Sequence, residues 1–183
     1  QCIESGVQNI IHGRWFDESK DKAYSFSEDY SKMIADKGLF VDSTISKHLL
    51  EYESELKGEK QRPSNPNISS EPTFESIINI FRHLDSVGVK IIGALDMGMS
   101  KADFNKAVAS AWAHVEWLGF DHWKAIRSIT FTNAEAMRIE NRKGLISVDY
   151  DADLVFYKKD PIKNIRNLVY DPQHVIKGGE IIF

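Results

Sequence analysis

The sequence predicts an α/β fold, in which parallel strands joined by helices are followed by a small β unit. Three observations predict it. From residue 7 to residue 96, short apolar runs closed by turn residues alternate with stretches of helical periodicity, the pattern of parallel strands with helical crossovers. The stretch Val87-Gly-Val-Lys-Ile-Ile-Gly-Ala-Leu-Asp96-Met-Gly98 puts five apolar residues into seven and then ends in a carboxylate and a glycine, which suits a strand buried on both faces. Beyond Gly144 the texture changes to short β-rich runs separated by turn pairs such as Asp160-Pro161, Asp171-Pro172 and Gly178-Gly179.

Taken in order, Val7-Gln-Asn-Ile-Ile-His12 reads as a strand with His12 at its C-terminal end, before Gly13. A histidine in that place is either a ligand or a turn and packing residue, and both readings stay open. Ser25-Phe-Ser-Glu28 has the form of a capping box and predicts a helix to about Lys37, with Tyr30, Met33 and Ile34 at helical spacing. Gly38 stops it. Leu39-Phe-Val-Asp-Ser-Thr44 is the second strand, followed by a charged helix from about Ser46 to Lys57 on which His48 is expected to be solvated. Residues 58–71 hold two prolines and one apolar residue, Ile68, and predict a long exposed loop. Pro72 suits the first turn of a helix whose Phe74, Ile77, Ile78, Phe81 and Leu84 form one apolar stripe, with His83 beside it as a structural residue.

The third strand then ends at Asp96, and a period of two places Ile92, Ala94 and Asp96 on one face. A carboxylate there lies at the C-terminal edge of the sheet, where (β/α) folds hold their active sites because loops and helix N-termini open to solvent. The alternative is that Asp96 caps the following turn. Ser100-Lys-Ala-Asp103 predicts the start of one continuous helix carrying Phe104, Ala107, Val108, Ala111, Trp112, Val115 and Leu118, with Trp112 and Trp117 as core and flank. Gly119 stops that helix, Asp121 caps another with Trp123, Ile126 and Ile129, and Thr132-Asn-Ala-Glu135 opens a short one. The β unit reads as strands at residues 145–148, 153–157, 167–170, 174–177 and 180–183.

At 183 residues and 42% hydrophobic, the chain can bury one substantial core but not two large ones. No apolar run is long enough to span a bilayer, and Gln1-Cys-Ile-Glu lacks the features of a signal peptide, so no membrane partner and a cytoplasmic location are expected. The lack of an initiator Met suggests a mature product or a piece of something longer. A net charge of -4 with no basic block argues against nucleic acid as a partner. Cys2 is alone, which rules out an internal disulfide and a thiolate zinc cluster.

Several runs resemble the C-terminal end of the amidohydrolase superfamily. They are Ala125-Ile-Arg-Ser-Ile-Thr130-Phe-Thr-Asn133-Ala134, Gly144-Leu-Ile146, Tyr150-Asp-Ala152-Asp153-Leu-Val155, Asp160-Pro161 and Val175-Ile-Lys-Gly178-Gly179. The likeness is to the imidazolonepropionase-like and Xaa-Pro dipeptidase-like branch. Ser5-Gly-Val-Gln-Asn-Ile-Ile-His12-Gly13 resembles its sixth barrel strand with a metal-binding His, Val41-Asp-Ser-Thr44 its seventh, and Gly88-Val-Lys-Ile-Ile-Gly-Ala-Leu-Asp96 its eighth with the catalytic Asp. Three positions depart from the pattern: Ile11 stands for a Glu, Ala94-Leu95 for Gly-Thr and Asp149 for a Gly.

The resemblance implies the last three strands of a (β/α)8 TIM barrel, residues 1–143, followed by the C-terminal strands of a small β-sandwich, residues 144–183. A complete barrel takes roughly 250 residues, and no counterpart of the family's His-x-His, fourth-strand Lys or fifth-strand His is expected in this chain. The implied activity is hydrolysis of a C–N bond in a peptide, amide or cyclic amide by metal-activated water. His12 and Asp96 are the implied ligands of a divalent metal, zinc by expectation, and Asp96 is also the base. Two protein ligands should hold a metal weakly or not at all, so the chain alone is expected to be inactive. A small-molecule or dipeptide substrate and a homo-oligomer are the expected partners, with a neighbour covering residues 7–12 or 39–44. The competing expectations are a non-catalytic structural or association module, and a self-contained three-layer α/β binding domain.

Overall fold

The computed structural model describes residues 3–13, 16–17, 23–24, 27–58, 74–98 and 102–183. Cys2, Ser25, most of the expected loop at 58–71, Pro72 and Ser100-Lys101 lie outside the described residues. The fold is mixed α/β, built on a three-stranded parallel sheet with helices packed on it.

Strand β1 (Asn9–Ile10) is followed by an antiparallel pair, β2 (Phe16–Asp17) and β3 (Ala23–Tyr24), which the sequence reading did not anticipate. Helix α1 (Glu28–Asp36) is capped by Ser27, whose Oγ accepts the Tyr30 N–H at 3.5 Å, rather than by Ser25. Then come β4 (Phe40–Asp42), α2 (Ser46–Leu56), α3 (Phe74–Ser86) and β5 (Lys90–Ile92). The sheet order is β1-β4-β5, all parallel, with Ile10 opposite Val41 and Val41 opposite Ile91. Because β4 is the central strand, it is buried along its whole length. Residues 39–44, expected at an open edge awaiting a neighbour, therefore lie in the middle of the sheet.

The expected stripe on α3 is the heart of the core: Ile77, Ile78, Phe81 and Leu84 are buried, Phe81 and Leu84 completely. Ile80 joins them. They meet Val41 and Ile91 from the sheet and Leu49 and Leu50 from α2. Each such side chain contributes roughly 1.5–3 kcal/mol by leaving water. Strand β1 approaches β4 so closely that a Cβ on Gly13 would stand 2.2 Å from Val41 Cγ1, so only glycine fits there without displacing the core.

The single helix expected from Phe104 to Leu118 is divided in three. A 3-10 turn at Phe104–Lys106, α4 (Ala109–Ala113) and a π-helical segment at His114–Leu118 follow one another, and Asp103 makes no side-chain cap. Apolar spacing cannot register such changes of hydrogen-bond step, and Phe104 is 78% exposed because the 3-10 turn stands off the core. The widened turn buries His114 fully, with Nδ1 2.8 Å from Ser128 Oγ. Helix α5 (His122–Ile129) is capped as expected, Asp121 Oδ1 accepting the Lys124 N–H at 2.8 Å, although Trp123 points outward. Helix α6 (Phe131–Ala136) begins before the expected Thr132 and has no side-chain cap.

The remainder forms an antiparallel sheet of β6 (Leu154–Phe156), β7 (His174–Lys177) and β8 (Glu180–Ile181), in the order β6-β7-β8. Residues 145–148 and 167–170 are not strands. Between β6 and β7 the chain turns inward instead: Ile165 and Leu168 join the core of the helices, and the Trp112 Nε1–H donates to the Leu168 carbonyl at 3.0 Å. Arg166 lies over the Trp112 ring, 4.4 Å from its centroid, and pairs with Glu53 and Glu116.

Candidate active site

All three parallel strands run out toward the same end of the sheet, and each leads into a non-glycine residue in the left-handed region. These are His12 (φ 55) after β1, Thr44 (φ 49) after β4 and Asp96 (φ 57) after β5. Such conformations cost on the order of 1–3 kcal/mol apiece for L-residues and gather at functional sites. Elsewhere among the described residues only Arg138 and Asp149 adopt one.

His12 is held from below by the Gly13 N–H, which donates to the Asp42 carbonyl at 3.0 Å, and its Nδ1 lies 2.9 Å from Thr44 Oγ1. Its ring is on the exposed surface of the sheet end. Asp42 sits between the outer strands with a relative exposure of 1%, and its Oδ1 accepts the Thr44 N–H at 2.9 Å. Burial pushes the Asp42 carboxyl above the usual aspartate range. The Thr44 N–H, the His12 imidazole and the Ala94 N–H pull it back, while the charge of Asp96 pushes it further up. Asp42 thus senses both His12 and Asp96.

Asp96 follows the buried Leu95 and is itself exposed. The strand does not continue to it: β5 ends at Ile92, so the alternation expected to put Ile92, Ala94 and Asp96 on one face does not apply. Instead the Gly93 N–H donates to the Ser128 carbonyl at 2.9 Å and the Asn133 Nδ2–H to the Gly93 carbonyl at 2.9 Å. The Ala94 carbonyl accepts from Ser46 Oγ and Ser110 Oγ, both at 3.1 Å. Four helices therefore fix the segment that presents Asp96.

The structure accordingly places both candidates, His12 and Asp96, at one end of the sheet, in the segments that follow its two outer strands. It adds Asp42 and Thr44 between them. The signal for Asp42 was present in the sequence, since Leu39-Phe-Val-Asp42 is another apolar strand closed by a carboxylate. Other histidines are elsewhere: His114 is buried against Ser128, its pKa lowered to about 3 by burial and by Lys124, and the His122 Nδ1–H donates to the Ile162 carbonyl.

An imidazole and two carboxylates are the donor types a divalent cation takes. Among the described residues, however, no three His, Cys, Asp or Glu stand close enough to hold one, so the shell is incomplete. No described helix is long and apolar enough to cross a membrane.

A family model described as the amidohydrolase family matches residues 1–182. No curated protein matches the chain. Among solved structures, a Xaa-Pro dipeptidase with methionine bound in its active site is 26% identical with a TM-score of 0.73, the match covering 98% of this chain and 40% of that one. A putative prolidase from Bifidobacterium longum is 19% identical with a TM-score of 0.78, covering 99% of this chain and 43% of that one. An ochratoxinase from A. niger is 18% identical with a TM-score of 0.71, covering 98% and 37%. The chain thus spans about two fifths of the length of the solved structures it matches.

Proposed function

Given that this chain belongs to the amidohydrolase family, we propose that it forms the sheet end of a hydrolase acting on the C–N bond of a dipeptide, amide or cyclic amide. On this reading its three parallel strands are part of a (β/α)8 barrel, with the strands that complete the barrel and the site contributed from outside these residues. The observation that carries it is the gathering of His12, Asp42 and Asp96 at the C-terminal end of parallel strands, the end at which barrels do their chemistry.

A divalent metal bound there supplies Lewis acidity and a water of lowered pKa. His12 and Asp96 offer two donors toward it, one short of a catalytic zinc site. This chain's own contribution is positioning and proton transfer. Asp96, exposed and rigidly mounted, takes a proton from the attacking water and returns it to the leaving nitrogen. Asp42, buried between the outer strands, has its own carboxyl pushed up by burial and further by the charge of Asp96. In the chain taken alone, the β1 edge, where Val7 and Ile11 are exposed, is open to association with a second copy.

The test is a hydrolysis panel of Xaa-Pro dipeptides, N-acyl amino acids and cyclic amides, with and without zinc. The 183-residue chain is expected to show no turnover, and the same residues joined to strands bearing the missing ligands are expected to turn over and to lose this in Asp96→Asn. Turnover indifferent to Asp96→Asn would remove the role assigned to that residue. Turnover by the chain alone would remove the partial-barrel reading.

A further inference from the structure

Helices α1, α3 and α6 close with the same turn, in which two successive N–H groups bond back to carbonyls of the last helical turn. Gly38 bonds Ala35 and Leu39 bonds Ile34, Gly88 bonds Asp85 and Val89 bonds Leu84, and Arg138 bonds Glu135 and Ile139 bonds Ala134. Such a turn puts its first residue in the left-handed region, which glycine enters without strain. Gly38 (φ 63) and Gly88 (φ 90) follow that rule, and Arg138 (φ 58) does not. Ending α6 therefore does not call for an arginine. The side chain reaches instead to the start of β1, where Nε donates to Gln8 Oε1.

Gln8 and Arg138 line a cavity of about 390 Å³ together with Ile3, Val7, Lys37 and Leu39. Gln8 and Leu39 immediately precede β1 and β4, so the cavity lies at the N-terminal end of the parallel strands, opposite the end that carries His12 and Asp96. Its lining holds two cations, Lys37 and Arg138, and no carboxylate. Glu135, one turn back from Arg138, is drawn away to Lys90 at 2.7 Å. The C-terminal ends of α1 and α6 each add about half a negative charge, which leaves roughly one positive charge for an occupant to neutralise. With Nε committed to Gln8, Nη1 and Nη2 form the outer edge of the guanidinium fork, and that edge matches the two oxygens of a carboxylate. Ile3, Val7 and Leu39 give the cavity an apolar side, and its volume is at the small end of the range for ligand pockets. We propose that this cavity binds a short aliphatic carboxylate, with Arg138 and Lys37 as its anchors. The site is separate from the proposed hydrolase chemistry and does not rest on it.

The experiment is an amide NMR titration of the 183-residue chain with sodium butyrate at neutral pH and constant ionic strength, with butyramide as the uncharged control. Butyrate is expected to shift residues 6–8, 37–39 and 137–139, and butyramide is expected to leave them in place. Arg138→Gly supplies the residue that the two sister turns use, so the α6 turn should persist while butyrate binding weakens at least about tenfold, as loss of a charge-assisted pair implies. Lys37→Gln should weaken it by about threefold, the effect of one exposed point charge. If Arg138→Gly does not fold, Arg138→Gln takes its place with the same expected loss. An alanine tripeptide and its C-terminal amide identify the source of the carboxylate: binding tighter than that of butyrate and abolished by amidation makes it a chain end, and weaker binding makes it a free acid, the carboxylate site standing in both cases. Shifts with no centre at these residues, equal shifts from butyramide, or an affinity unmoved by both Arg138→Gly and Lys37→Gln would overturn the proposal. The titration needs neither substrate nor turnover, so failure to hydrolyse any amide would count against the proposed function alone.

Discussion

The parallel sheet and the C-terminal antiparallel sheet of this protein are built on opposite terms. In the parallel sheet, Val41 and Ile91 are at most 4% exposed, the approach of β1 to β4 tolerates only glycine at position 13, and the residues at the strand ends are locked by hydrogen bonds. In the antiparallel sheet, Val155 is 51% exposed, Phe156 43% and Ile181 74%, and the adjoining Ile182 and Phe183 are equally open. The same apolar residue types therefore carry structure in one sheet and leave a surface in the other. Packing in the first outweighs the cost of the left-handed His12, Thr44 and Asp96.

The largest expected effect compares one aromatic from each region. Phe81→Ala, in the core beneath the parallel sheet, should cost about 3–5 kcal/mol in urea unfolding, whereas Phe156→Ala should cost less than about 1 kcal/mol. Equal losses would break the comparison.

Acid should find the buried region first. His114 is neutral in the fold with a pKa of about 3, below the ordinary 6.5, so the unfolded chain takes up the proton before the folded one does. The stability it contributes is whole above about pH 6.5 and is lost as pH falls toward about 3, on the order of a few kcal/mol in all. Unfolding midpoints against pH should show that slope, and His114→Asn should flatten it.

Gly13→Ala should cost about 1–3 kcal/mol, because the added methyl would sit 2.2 Å from a fully buried Val41. The smallest effect belongs to Asp149, which departs from a family glycine and sits at φ 67. Asp149→Gly should be neutral within about 0.5 kcal/mol, since relief of strain offsets the entropy of glycine, and Asp149→Val should cost about 1–2 kcal/mol. Thermal midpoints of the three variants measure both.

The sequence made the buried region legible and the exposed one much less so. Apart from the β2–β3 hairpin, the order of strands and helices up to Asp96 followed from periodicity, because burial imposes an apolar face on α3 and apolar runs on the strands. His12 and Asp96 stood out as candidates because each follows an apolar strand and resembles a family motif. Asp42 had the first of these signals, but its burial between two other polar groups depends on strand order, which periodicity does not carry. In the C-terminal part, residues 145–148 and 167–170 have strand-like composition, yet Leu145 and Ile146 stay exposed and Leu168 turns into the helical core. Pairing there depends on which partner is near, and composition is silent on that. The hairpin of β2 and β3 is only two residues deep on each side, too short to leave a period.

The proposed function makes the end of the parallel sheet the place, among the described residues, that meets a cation, and the open antiparallel sheet one that does not. Titration with manganese(II) followed by amide NMR tests it most directly, because the ion broadens signals only near where it binds. The account predicts weak binding that broadens residues 11–13, 42–46 and 94–97 before any others, leaves β6, β7 and β8 sharp, and disappears in the double variant His12→Ala, Asp96→Asn. Broadening centred on the acidic pair Asp151 and Asp153, or unchanged in the double variant, would contradict it.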